Sequence, residues 1–288
     1  MDNANLRELY LNVKSFIAKI MKTAGNLIAL LGIGGCAFGV GGGAAPKLHS
    51  GLSTRHRIPV LVELFTSEGC SSCPSADVLL GRLQSIQPLD NALIVPLGEH
   101  VDYWDGPSWK DRFSTHENSL RQLFYARHFH LDGPYTPQLV VNGETELLGS
   151  DENSALDAIS VSAGHKRASI ALTSRIRRPN EGNIHIEVSG LDQIHTDNSN
   201  AVFLAVIEAN LDSSVKGGEN DGRVLHHAAV MRRLVRIGDI ASNSAWSHDA
   251  VLPLDPQWKR KDLQVVAFIQ GAHTGHIFGT ALCVLGEK

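Results

Sequence analysis

Hydrophobic positions along this chain follow two different rhythms. Between residues 58 and 164, apolar runs alternate with amphipathic stretches. Ile58–Thr66 (IPVLVELFT) is β-rich and continuously apolar, which predicts a central buried strand. In the SEGCSSCPSADVLLGRLQSI stretch that follows, Leu79, Leu80, Leu83 and Ile86 recur at helical spacing, so a helix begins near the cysteines. A second strand is predicted from Ala92 to Leu97 and a helix over 117–130. A third strand follows at Gln138–Val141, then an Asn142-Gly143 hairpin turn, a fourth strand and a closing helix over 151–164. The predicted order is β-α-β-α-β-β-α.

From residue 168 the pattern becomes a series of short β-runs. They are ASIALTSRI, NIHIEVSGL, AVFLAVIEANL, RVLHHAAVMRRLVRIG, AVLPL, LQVVAFIQG and HIFGTALCVL, separated by turn signals such as Pro179-Asn180, Gly190 and Gly217-Gly218. Seven short runs predict an immunoglobulin-like sandwich. The expected fold class is therefore α/β over residues 56–165, followed by an all-β immunoglobulin-like sandwich domain over 168–288. Cys283 alternates inward on the last run, as a small core filler does.

The first 46 residues differ from both. Residues 27–40 (LIALLGIGGCAFGV) are apolar and uncharged, too short to span a bilayer comfortably and of the length of a signal-peptide core. Lys14, Lys19 and Lys22 precede this run, and the linker-like GVGGGAAP overlaps its end. Ile33-Gly34-Gly35-Cys36 resembles a lipobox, so lipidation of Cys36 is one expectation and plain cleavage near Ala44-Ala45 the other. Met21-Lys22 reads as an alternative start to Met1. Each version puts the remainder in the periplasm or outside the cell, free or tethered to a membrane through Cys36.

Composition narrows the chemistry. A net charge of −4 with no basic stripe argues against nucleic acid as a partner. Four cysteines are too few for a disulfide-stapled scaffold, and the close pair Cys70 and Cys73 points to a reactive site. At a helix N-terminus the free amides and the dipole stabilise a thiolate, which makes Cys70 the better nucleophile. Cys73, one turn on, is placed to resolve a mixed disulfide. Pro74 needs no N–H at an early helical position. Zinc at this pair would require two further ligands from a second such motif, which the chain lacks.

Cys70-Ser-Ser-Cys73 after a strand, with Thr136-Pro137 ahead of LVVNG, resembles the thioredoxin-like superfamily. That resemblance implies a cis peptide at Pro137 facing the cysteine pair, with the Thr136 backbone holding an incoming peptide. ELFTSEGCSSCPSAD, HVDYWD, RQ-x-x-Y, YTPQLVVNG and GGEN-x-GR together resemble, over residues 58–285, one group of secreted bacterial proteins of unknown function with a thioredoxin-like fold. Trp104 and Trp109 keep that group's tryptophan environment, and Glu68 stands where Gln is common. A carboxylate there would raise the Cys70 pKa. The buried acid of thioredoxins is matched by Glu63, one residue out of register, as a proton relay or a structural hydrogen-bond partner.

The expected function is thiol–disulfide exchange, with Cys70, Cys73, Thr136, Pro137 and Glu63 as site residues. Its partners would be protein thiols or disulfides and a redox partner, and it would need no cofactor beyond the redox-active disulfide. Two alternatives stand beside it: copper held by Cys70, Cys73 and His100, and a non-catalytic envelope interaction module. In GGENDGRVLHHAAVMRR, Glu219, Asn220, Arg223, His226 and His227 are expected to dock a charged loop and hairpin onto the first domain. Binding a metal or lining the redox cleft is the alternative for them.

Overall fold

The structure is a computed structural model and describes residues 57–242 and 244–286. The export segment and Cys36 lie outside the described residues. No helix of the described residues is long and apolar enough to cross a membrane.

Local chemistry sets the elements of the first half. β1 (Ile58–Thr66) and β2 (Ala92–His100) are parallel and joined through helix α1 (Pro74–Ile86). Helix α2 (His116–His128) starts where the Thr115 hydroxyl accepts the Asn118 amide. β3 (Gln138–Val141) runs antiparallel to β1 and turns into β4 (Thr145–Leu148). The turn uses Asn142 and Gly143 with φ of 47° and 63°, the positive-φ pair that a tight hairpin favours. Helix α3 (Glu152–Ser162) is capped by Asp151. Val60, Val62, Leu64, Ile94, Leu139 and Val141 form one sheet face, packed against Leu79, Leu80 and Leu83 of α1 and Ala155 and Ile159 of α3.

The second half supplies β5 (Ser169–Arg178), β6 (Glu181–Ser189), β7 (Asn200–Glu208), β8 (Leu211–Ser214), β9 (Val224–His227), β10 (Val230–Ile240), β11 (Trp246–Pro253), β12 (Leu263–Gly271) and β13 (Ile277–Val284). The seven predicted runs thus become nine strands. Positive φ at Asn210 (55°) and Ala229 (47°) breaks two of the long runs into pairs.

The expected fold class does not hold. The described chain is mostly β, and it is not an α/β thioredoxin-like domain followed by a separate immunoglobulin-like sandwich. Eight strands from both halves build one mixed sheet, in the order β13-β12-β7-β10-β2-β1-β3-β4. A three-stranded sheet, β11-β6-β5, packs over its β7–β12 side, and β8-β9 stand apart as a hairpin. The halves meet where Val230 of β10 pairs with Gly98 of β2 and the Gly98 amide donates to the Ala229 carbonyl (2.8 Å).

The reason lies in the second face of the first-half strands. Leu61, Val95 and Leu97 share one core cluster with Ala205, Ile207, Val266, Phe268 and Ile277. β2 is buried along nearly its whole length, so it cannot serve as a solvated edge. The described residues accordingly form one compact unit.

α2 lies at this junction. Arg121 Nε donates to Glu63 Oε1 (2.5 Å), and Arg121 Nη1 donates to Gln270 Oε1 of β12 (3.0 Å). The guanidinium also lies over the rings of Phe203 and Phe268.

Candidate functional site

Cys70 and Cys73 are joined by a disulfide, with Cα atoms 5.5 Å apart. Cys73 is the N-cap of α1 and Pro74 its first residue. The Cys73 carbonyl accepts the Ala76 and Asp77 amides (2.9 and 3.1 Å). Ser72 Oγ lies 3.3 Å from Cys70 Sγ. Ser71 and Ser72 are exposed, but the cysteines keep only 1% and 0% of their surface.

The second half docks onto the backbone around the pair. The loop between β8 and β9 carries Gly217-Gly218-Glu219-Asn220. Asn220 Nδ2 donates to the carbonyls of Glu68 and Cys70 (both 2.9 Å), and the Ser71 amide donates to Glu219 Oε2 (3.0 Å). This is the docking role expected of the GGEN segment.

Thr136 and Pro137 are also brought to this end of the sheet. The Thr136–Pro137 peptide is cis. Trp104 Nε1 donates to Thr136 Oγ1 (2.8 Å), and the Trp104 side chain lies against Gly69, next to Cys70. A side chain at Gly149 would touch both Pro137 and Ala76, so the proline sits beside the first turn of α1. Glu63 is differently committed. Its carboxylate takes Arg121 on one oxygen and the Tyr125 hydroxyl (2.6 Å) on the other, within a buried ion-pair network.

Beside the disulfide lies a buried polar cluster of Glu68, Asp77, His100, Asp111 and His227. His100 Nδ1 is 2.6 Å from Asp111 Oδ2, the same oxygen that accepts the Glu68 amide (2.9 Å). Trp109 Nε1 donates to Glu68 Oε2 (3.0 Å), and the Thr66 hydroxyl donates to Asp77 Oδ2 (3.1 Å). His227 reaches Glu68 Oε1 at 3.4 Å through Nε2 and Asp77 Oδ1 at 3.9 Å through Nδ1.

The electrostatics of the cluster follow. Burial alone would raise the Asp111 carboxyl. His100 and the amides of Glu68 and Phe113 outweigh it and hold the group at about 2. Burial would lower the His227 imidazole, but Asp77 and Glu68 push it up to about 9.

Sequence reasoning singled out His100 and His227 separately and missed Asp77 and Asp111. Asp77 did leave a signal: it stands three residues before Leu80 on the buried stripe of α1, where an apolar residue is the norm.

A family model described as a protein of unknown function, DUF1223, matches residues 61–270. The crystal structure of protein AGR_C_4864 from Agrobacterium tumefaciens is similar at 26% identity, covering 81% of this chain and 97% of that one, with a TM-score of 0.60. HBP35 of Porphyromonas gingivalis is similar in fold at 19% identity, covering 80% of this chain and 76% of that one, with a TM-score of 0.56. Both likenesses run across the two halves of the sheet. No curated protein matches the chain.

Proposed function

The chain belongs to the DUF1223 family of proteins of unknown function, and from that premise we propose that it is an exported thiol–disulfide oxidoreductase related at its active site to the thioredoxin-like superfamily. One observation carries the reading: a Cys70–Cys73 disulfide at the N-terminus of α1, with Thr136 and Pro137 on the neighbouring loop. A persistent disulfide also suits a periplasmic or extracellular location, whether the chain is free or tethered through Cys36.

In the oxidised protein, a substrate thiolate attacks Cys70 Sγ. The Cys70–Cys73 bond breaks, a mixed disulfide forms and Cys73 leaves as a thiolate at the positive end of α1. A second substrate thiolate then attacks its partner sulfur and expels Cys70 as a thiolate, beside the Ser72 hydroxyl. The substrate has lost two electrons and two protons and gained a disulfide, while the protein holds the dithiol. A partner disulfide returns it to the oxidised form, and the whole sequence runs in reverse toward a more oxidising substrate. Because both sulfurs are almost wholly buried, exchange requires local opening around the pair, and the GGEN loop bonded to its backbone is the segment we propose to move.

Insulin reduction with dithiothreitol as electron source tests the reading. Turnover is expected in the intact protein and not in Cys70→Ser, and Cys73→Ser should trap mixed disulfides. The near-complete burial of both sulfurs favours one competing reading, a non-catalytic module in which this disulfide is a staple. Absence of turnover in the intact protein, together with no mixed disulfide in Cys73→Ser, would establish the staple and exclude exchange. For the copper alternative, Cys70, Cys73 and His100 would act after reduction, with His100 Nδ1 still held by Asp111. Stoichiometric Cu(I) binding by the reduced protein, lost in the Cys70→Ser/Cys73→Ser double variant, would support it.

A further inference from the structure

The polar cluster beside the disulfide has the anatomy of a metal site. Asp77 comes from α1, His100 from the end of β2 and His227 from the end of β9, so three distant segments converge. One donor atom from each lies within 4.8 Å of the others, and all three residues are buried. We infer that Asp77, His100 and His227 bind a divalent first-row transition metal, of which zinc is the type case. This does not depend on the redox reading, since none of the three donors is a cysteine.

Unmet polar atoms are the first support. Both ring nitrogens of His227 and Oε1 of Glu68 have no hydrogen-bond partner among the described residues. His227 is 2% exposed and Glu68 is not exposed at all. Desolvating such groups without a partner is costly, and folded proteins rarely leave them so. A cation held by His227 Nδ1, Asp77 and His100 gives that nitrogen a partner.

The outer groups are the second support. Metal-binding histidines hand their other ring nitrogen to a carboxylate, which fixes the tautomer and aims the free nitrogen at the metal. His100 has Asp111 on Nδ1 at 2.6 Å, and His227 has Glu68 beside Nε2 at 3.4 Å. Asp77 is steadied on Oδ2 by Thr66, which leaves Oδ1 facing His227. His100 and Asp77 therefore have hydrogen-bonded positioning partners, and the Glu68 carboxylate stands within ion-pair distance of His227.

The donor set chooses the class of metal. Two imidazoles and a carboxylate suit zinc or ferrous iron, whereas calcium and magnesium prefer all-oxygen sites. Three protein ligands leave a fourth position for water or substrate, the arrangement of catalytic zinc. Zinc ligands with bonds of about 2.0–2.1 Å stand roughly 3.3 Å apart in a tetrahedron, so no pair here has to close by more than about 1.5 Å on binding. A groove of about 540 Å³ on the protein surface is lined by Asp77, Gly81, His227 and Ala228.

The test uses the full chain with its disulfide intact, stripped by a chelator under mild denaturant and refolded. Zn(II) is titrated in competition with a chromophoric chelator, and Co(II) serves as the spectroscopic probe. One metal per chain is expected, with Co(II) ligand-field bands and no thiolate charge-transfer band. Asp77→Asn and His227→Gln should each weaken binding by more than about a hundredfold, and Asp111→Asn by roughly 10–100-fold. Cys70→Ser/Cys73→Ser should bind as wild type. Circular dichroism checks that each variant folds; if Asp77→Asn or His227→Gln does not, Asp111→Asn and wild-type stoichiometry decide. Absence of stoichiometric binding to the intact protein would overturn the assignment, leaving a buried imidazolium between two carboxylates. So would undiminished binding in the folded ligand variants, or loss of binding with the cysteines.

Discussion

Arg121 stands where charges, rings and amides from β1, β2, β7 and β12 converge. It satisfies Glu63 and Gln270, contacts Glu99 at 3.5 Å and lies over two phenylalanine rings. Burial and the neighbouring Glu63 push the Glu99 carboxyl well above its usual range. Replacing Arg121 by Met keeps the volume and strands Glu63, a loss expected to cost about 3–5 kcal/mol in urea denaturation. Glu144 supplies a pH effect at the same scale. Burial raises its carboxyl, but Arg167 and Ser162 outweigh it and hold the folded-state pKa below the ordinary value. A depressed carboxyl stabilises the folded state above its unfolded pKa and loses that contribution as pH falls through the folded one. Thermal melts between pH 7 and pH 3 should therefore show wild type losing stability below about pH 4. Glu144→Gln should start lower and fall less steeply across the same window.

Elements decide access to the sulfurs. The β8–β9 hairpin is a small two-stranded unit, yet its loop satisfies the Cys70 carbonyl and the Ser71 amide. Asn220 is fully buried, and no other side chain type carries its paired amide donors on so short a stem. Asn220→Ala leaves two carbonyls under-satisfied and should cost about 1–3 kcal/mol. The same variant should let dithiothreitol reduce the Cys70–Cys73 disulfide faster than in wild type, read by maleimide labelling under native conditions. An unchanged reduction rate would mean that the loop does not control access.

At the scale of the whole molecule, the join between β2 and β10 is what makes one sheet of two halves. Gly98 is at that seam because the carbonyl of Ala228 passes 3.1 Å from where a Cβ would stand. Gly98→Val forces the strands apart and should cost about 1–3 kcal/mol. The loss should appear in one cooperative transition, coincident by near-UV and far-UV circular dichroism. Two separate transitions would mean that the halves unfold independently.

Much of the local structure was legible without coordinates. The bounds of β1 and β3 match their apolar runs, because a continuous apolar stretch bracketed by turn residues has few other ways to bury itself. The helix start at the cysteines and the turn at Asn142-Gly143 were readable for similar local reasons. The joining of the two halves in one sheet was not, because a run such as Ala92–His100 looks the same whether its far edge meets a helix, solvent or another strand. Glu63 likewise stood in the sequence as a relay acid or a structural hydrogen-bond partner, and its bond to Arg121, 58 positions away, was not legible there.

Residue spacing alone thus determined most of the strands, the helices and the cysteine pair followed by Pro74, since these depend on backbone preference and on neighbours a few positions apart. Only the tertiary structure decided that eight strands share one sheet, that Asn220 bonds the Cys70 carbonyl, and that Asp77, His100 and His227 share one buried place. Those outcomes rest on contacts between residues 20 to 150 positions apart, and one sequence carries no record of which distant side chains will meet.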